Sequence, residues 1–373
     1  MPVGVFIFYN RKTAELLIFF AFYIFFTFRK GFEGSWDGEK AVSYSRTKEK
    51  EIKHEKENMK MKTKKILTLV LAAALAVTSL FSLASCGGAS EKNITVVVRE
   101  QGSGTREAFD TNVTDGTHFL EEKVDGKKVY NSTKTAVEQT KTGTVLSKVA
   151  SDEYAIGYIS LGSVNDTVKV LKVNGVLPSE ETVLDGTYKI QRPFVVMTKH
   201  GITLTERAAD FMAYLKSDAL KAHAESAGCI YLADPAKRAN EGADPIAVTT
   251  FTKQATLPAG EKIVIRGSTS MEKLITAAAK GYADLYGVNA ADIFDIQLEG
   301  SSVGRKAVED DTTGNTIGLS SAAVKQDNVD SFNACLDAVA VIVNVKNDKV
   351  SDLTIHQLYD IFSGKITKFD EVK

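Results

Sequence analysis

The sequence predicts an α/β fold in which largely parallel strands alternate with helices. Two observations carry this. A short strand, a Gly/Ser turn and a helix recur as a unit three times along the chain. Within the units the apolar spacing changes from alternation to a helical repeat, the mark of a strand feeding a helix.

The chain has 373 residues, a formal net charge of −1 and 44% hydrophobic residues, which suits ordinary globular domains and gives no charge excess for nucleic acid. Five histidines and three cysteines fall at no metal-ligand spacing. Neither a metal nor a cofactor is expected.

From the N-terminus, "ELLIFFAFYIFFTF" is short for a membrane span. The tract "KEKEIKHEKEN" before Met59 and Met61 would be encoded almost wholly by purines, as a ribosome-binding region would be. Residues 1–58 therefore read as a mis-called extension; a membrane-anchored N-terminus is the rival. Residues 59–85 read as a signal peptide, with Lys60, Lys62, Lys64 and Lys65 before an apolar run from Ile66 to Leu83. Leu83-Ala84-Ser85-Cys86 resembles the lipobox of bacterial lipoproteins, which implies lipidation of Cys86 and an anchor on the extracytoplasmic face of the cell membrane. Residues 86–373 remain, enough for two lobes of typical size. Cys229 and Cys335 are either a disulfide pair or buried free thiols.

The first unit is "ITVVVREQGSGTREAF", Ile94 to Phe109. "YAIGYISLG" and "RPFVVMTK" read as strands, and "LTERAADFMAYLKSDALKAHAESAG" as one helix ending near Gly228. Residues 232–261 lack periodicity and read as a surface connection. In the second unit, Ile263 to Ile265 form a strand, and Met271, Leu274, Ile275, Ala278, Tyr282 and Leu285 repeat at helical spacing. Thr269 and Glu272 fit a capping box between them. In the third, Ile296 and Leu298 alternate before Gly300-Ser301-Ser302-Val303-Gly304. "AVAVIVNV" reads as a buried strand. Finally, "DLTIHQLYDIFSG" has Thr354 as N-cap, Gln357 at N3, a Leu353–Leu358 staple and Gly364 as stop.

A helix N-terminus presents unpaired N–H groups and the positive end of the macrodipole, and a Gly/Ser turn lets an anion approach them. One such turn alone is more often a plain cap than a ligand site. Three in one chain point to a small oxyanion, which needs donors from several directions. Arg99 is placed to add charge-assisted bonds; a salt bridge to Glu100 or Glu107 is its other reading. Gly300 to Gly304 also matches G-x-S-x-G, the nucleophile elbow of serine hydrolases. Only His356 follows Ser302, however, and it sits inside a helix.

Taken together, "REQGSGTREAF", "YAIGYISLGSVNDTVKVLKVNG", "DGTYKIQRPFVV", "GSTSMEKL", "GSSVGRKAV", "IGLSS", "AVAVIVN" and "LTIHQLYDIFSGKITKFDEV" resemble the phosphate-binding lipoproteins of bacterial phosphate ABC transporters. That family is periplasmic-binding-protein-like. The resemblance spans nearly all of residues 93–373, but in an order that reads as a circular permutation, with the RExGSGT-to-RPF block first; a duplication with loss at both ends would leave the same order. It implies a type II two-lobe fold, each lobe a mixed, mostly parallel sheet flanked by helices. Lobe B would comprise 92–190 plus 341–373, lobe A 191–340, with crossover strands near "YKIQRPF" and "AVAVIVN". It implies a monomer that captures inorganic phosphate between the lobes, hands it to a permease, and is not an enzyme. The phosphate contacts would be Arg99, Ser103, Gly104, Thr105, Thr269, Ser270, Ser301, Ser302 and Ser321. The family often has a carboxylate beside the IGxSS turn; here Asp310 or Asp311 would have to supply it. A binding protein for sulfate, molybdate or a phosphonate, a phosphate sensor without transport, and a secreted serine hydrolase using Ser302 are the other readings.

Overall fold

The computed structural model of the chain describes residues 92–239, 244–325 and 327–372. Residues 1–58, read as an extension, residues 59–85, read as a signal peptide, and Cys86 lie outside the described residues.

Ten strands form one twisted sheet: β1 Thr95–Arg99, β2 Val137–Gln139, β3 Ala155–Ser160, β4 Val168–Val170, β5 Gln191–Lys199, β6 Ile230–Tyr231, β7 Ile263–Gly267, β8 Phe294–Leu298, β9 Thr316–Ser320 and β10 Val329–Asn344. Their order is β8-β7-β9-β5-β10-β3-β1-β2, with β4 and β6 also pairing with β10. β7 lies parallel to β8 and β9, and β1 parallel to β2 and β3, as the strand–turn–helix units require. The long β10 runs antiparallel to its neighbours. Its first part, Val329 to Ala338, pairs with β5, and its last part, from Val339, pairs with β3.

The principal helices are α1 Gly104–Asp110, α2 Thr142–Ser151, α3 Glu206–Lys216, α4 Leu220–Ser226, α5 Glu272–Tyr286, α6 Ser301–Glu309 and α7 Ile355–Ser363. The helix read across 204–228 is two helices. Ser217 breaks it: its hydroxyl donates to the carbonyl of Tyr214 and accepts from the amide of Ala219, the local competition with helical bonding typical of serine. α7 starts and stops as its sequence requires, with Thr354 and Gln357 in a reciprocal capping box and Gly364 in the left-handed conformation.

Two large apolar clusters flank the shared strand. One joins Phe194, Phe211, Leu274, Tyr282 and Phe332; the other joins Phe109, Tyr158, Val341, Leu358 and Phe362. Burying each such side chain contributes about 1.5–3 kcal/mol. β10 feeds both clusters: Phe332 and Cys335 enter the first, Val339, Val341 and Val343 the second. Where it passes from one to the other, Arg192 forks onto Asp337 at 3.0 and 2.8 Å, and Ser160 donates to the same carboxylate at 2.7 Å. Cys229 and Cys335 are buried free thiols.

Candidate anion site

The three Gly/Ser turns sit at the C-terminal ends of β1, β7 and β8, and the Ser320–Ser321 turn at the end of β9. The sheet brings them together. Gly102, at φ +87°, and Gly104 show how tightly. A Cβ on Gly102 would fall 2.7 Å from Ser302 Oγ, and one on Gly104 2.6 Å from the carbonyl carbon of Ser321. No side chain fits between these turns.

Arg99 ends β1 and is 2% exposed. Its Nη1 faces the hydroxyls of Thr142 and Thr105 at 3.3 and 3.5 Å. Its Nε and Nη2 each donate to Glu100 at 2.9 Å. Arg99 is thus ion-paired to Glu100 while its Nη1 faces the turns. Its main chain is fixed as well, since its N–H donates to Tyr158 Oη and its carbonyl accepts from Arg106.

A chain of hydroxyls crosses from the first turn to the second. Thr105 Oγ1 lies 3.0 Å from Ser270 Oγ, and Thr142 Oγ1 lies 3.3 Å from Ser270 Oγ and 3.1 Å from Thr269 Oγ1. A second group joins the remaining turns: Ser268 Oγ donates to Ser321 Oγ at 2.8 Å, and Ser301 Oγ accepts from the Ser321 amide at 3.1 Å. Ser103, Thr105, Thr142, Ser268, Thr269, Ser270, Ser301 and Ser321 are all buried. A hydroxyl both donates and accepts, so these groups can satisfy one another or turn as donors to an anion. Gly104 and Thr105 open α1, where amides have no intrahelical acceptor. Beside the cluster a cleft of 850 Å³ opens between the first turn of α2 and the α5–β8 surface, with Lys141 and Gly143 on one wall and Thr269 and Glu272 on the other.

Of the residues read from sequence, eight converge here: Arg99, Ser103, Gly104, Thr105, Thr269, Ser270, Ser301 and Ser321. Ser302 takes the rim. Its side chain is exposed and its amide donates to the Gly102 carbonyl. The capping box of Thr269 and Glu272 does not form. Ser268 is the cap, accepting from the Ser270 amide, and Thr269 turns its hydroxyl to Thr142. Neither Asp310 nor Asp311 reaches the turns. Asp310 is exposed and paired with Lys306; Asp311 accepts from Thr313 and from the Thr316 amide at the far end of β9. Two contributors were not read. Thr142 opens α2 in "TKTGTV", a helix start with no Gly-Ser pair to advertise it, and Ser268 was passed over for its neighbour. The carboxylate that does stand beside the site is Glu100.

The serine-hydrolase arrangement is not assembled. His356 is exposed on α7 and pairs with Asp360 at 3.3 Å.

A family profile described as the PBP superfamily domain matches residues 60–219 and 252–372. The phosphate-binding protein PstS 2 of Streptococcus pneumoniae TIGR4 is 36% identical over 323 residues, covering 84% of this chain and all of the relative. Its namesake from Streptococcus agalactiae 2603 V/R is 35% identical over 320 residues, covering 84% of this chain and 99% of the relative. A crystal structure of a phosphate-binding protein of a phosphate ABC transporter from Streptococcus pneumoniae TIGR4 aligns at 34% identity. It covers 75% of this chain and 100% of that one, with a TM-score of 0.54. The sequence matches run end to end along these relatives, so the order of blocks is theirs too. The chain belongs to the PBP superfamily, alongside the phosphate-binding proteins of streptococci.

Proposed function

We propose that this protein captures inorganic phosphate and delivers it to an ABC permease for import. The observation that carries the reading is the hydroxyl chain from Thr105 to Ser270 and Thr142, closed by the Arg99 guanidinium. It offers a small tetrahedral oxyanion hydroxyl donors from two turns, a fixed positive charge, and the first amides of α1. The relatives' names support the same ligand. Arg99, Ser103, Gly104, Thr105, Thr269, Ser270, Ser301 and Ser321 are the proposed contacts, joined by Thr142, with Ser268 holding Ser321 in place.

The two apolar clusters are the proposed cores of two lobes, 92–190 plus 341–373 and 191–340. The turns meet between them, so binding would close the lobes about the crossover near Arg192 and Asp337, and closure would report occupancy to the permease. A lipid on Cys86 would hold the protein at the extracytoplasmic face of the membrane.

A second reading, another tetrahedral oxyanion, is favoured by one observation: neither Asp310 nor Asp311 stands near Ser321 to accept a proton-borne hydrogen bond that sulfate cannot offer, and Glu100, the carboxylate beside the site, is engaged by Arg99. Calorimetry with phosphate, sulfate and a phosphonate separates the two. Binding of phosphate that sulfate does not displace supports phosphate capture; equal binding of sulfate assigns the second reading; binding of neither ends both. The sole tryptophan, Trp36, falls in the segment read as an N-terminal extension, so calorimetry serves better than tryptophan fluorescence.

A further inference from the structure

Beside the anion site, along α1, lies a buried ion pair. Arg106 is 5% exposed and Asp110, one helical turn later on α1, is fully buried. Arg106 Nε donates to Asp110 Oδ2 at 3.0 Å. Its Nη1 donates to the carbonyl oxygen of Arg99 at 2.7 Å and reaches Glu138 on β2 at 3.3 Å. The guanidinium lies over the ring of Tyr130, 4.7 Å from its centre. Asp110 Oδ1 is buried and has no hydrogen-bond partner.

The groups that face this pair are few: Glu121, Lys128 and Tyr130 from the hairpin Glu121–Val124 and Lys127–Tyr130, Glu138 from β2 and Tyr158 from β3. Glu121 and Lys128 neutralise each other through their own salt bridge. The charge state of Asp110 therefore decides how firmly Arg106 is held, because a buried guanidinium that loses its carboxylate loses its main counter-charge.

We propose that Arg106 and Asp110 are positioning residues for the anion site: Arg106 grips the main chain of Arg99 and so aims its guanidinium at Thr105 and Thr142, and the grip tightens when Asp110 is ionised. Burial pushes the Asp110 carboxyl up to about 7 despite Arg106, so the change of grip falls near neutral pH. Affinity for phosphate then rises with pH for a reason that lies in the protein and not in the ligand.

The proposal rests on phosphate being the ligand. The test is calorimetry with inorganic phosphate on the full chain, comparing wild type with Asp110→Asn and Arg106→Met from about pH 6 to about pH 8. The ligand's own ionisation is common to all three proteins and cancels in a ratio of affinities. The expected ratio of wild type to Asp110→Asn climbs from about one at the acid end to about tenfold at the alkaline end, the value of one charge-assisted hydrogen bond. Arg106→Met should be weakened about tenfold at the alkaline end. If Arg106→Met does not fold, judged by its thermal transition without phosphate, the near-isosteric Asp110→Asn decides. A ratio that stays flat with pH, or a folded Arg106→Met within twofold of wild type, overturns the positioning role. A wild type that does not bind phosphate overturns the phosphate reading itself, and the proposal with it.

Discussion

Arg99 shows how one side chain can serve two partners. Its Nε–Nη2 edge is held flat by Glu100, which leaves Nη1 to the hydroxyls of Thr105 and Thr142. The ion pair fixes the plane of the guanidinium and the site uses what is left. Arg99→Met should weaken phosphate binding by about a hundredfold or more, through loss of charge-assisted bonds and the abandonment of Glu100 without its partner. Titration calorimetry reads this directly. Thr142→Val keeps the shape and removes a hydroxyl; a loss of about fivefold to tenfold is expected, whereas Ser302→Ala, at the rim, should bind as wild type does. Gly104→Ala brings a methyl group against the Ser321 main chain and should bar the turns from meeting, with affinity falling well beyond the effect of Thr142→Val.

At the scale of the element, α1 carries a cost. Folding raises the Asp110 carboxyl from its ordinary range to about 7 because burial disfavours the charge. The folded state thus binds that proton more tightly than the unfolded chain does. This contribution to stability is full below about pH 4 and is lost as pH rises towards about 7, amounting to roughly 4 kcal/mol for the one group. Asp110→Asn should flatten that decline in denaturation experiments at a series of pH values. Removing the cap of α7 with Thr354→Ala should cost about 1 kcal/mol. Elements of this kind were legible in the sequence because their signals are local: Thr354 and Gln357 three residues apart, Gly364 at the stop, the valines of β1 before Gly102. What stayed illegible depended on distance. Nothing in "TKTGTV" says that Thr142 will lie 3.3 Å from Ser270, 128 residues away. Likewise Thr269 fits a cap by spacing because its partner, Thr142, lies in another part of the chain, and Asp311 is near Ser321 in sequence while β9 carries Ser321 to its opposite end.

Among the described residues β10 runs through both clusters, with the Arg192–Asp337 pair where it passes from β5 to β3. Ligand that binds only the folded state should raise stability by about 2.7 kcal/mol at a hundredfold excess over Kd, seen as a higher thermal midpoint in phosphate than in chloride. Block order was readable because the motifs are specific; that the curated relatives match end to end was not, since one sequence cannot say whether its arrangement is private.

The sixteen residues of β10 have a further consequence, one of timing. They come late in the chain, yet they complete the sheet on both sides, covering the edge of β5 with one end and the edge of β3 with the other. Until Val329 and its successors have left the ribosome, neither cluster can close, and the earlier strands wait with open edges. The two clusters therefore both depend on one strand, unlike the cores of independent domains. Neither closes before that strand, and the second waits longer still, for Leu358 and Phe362 of α7.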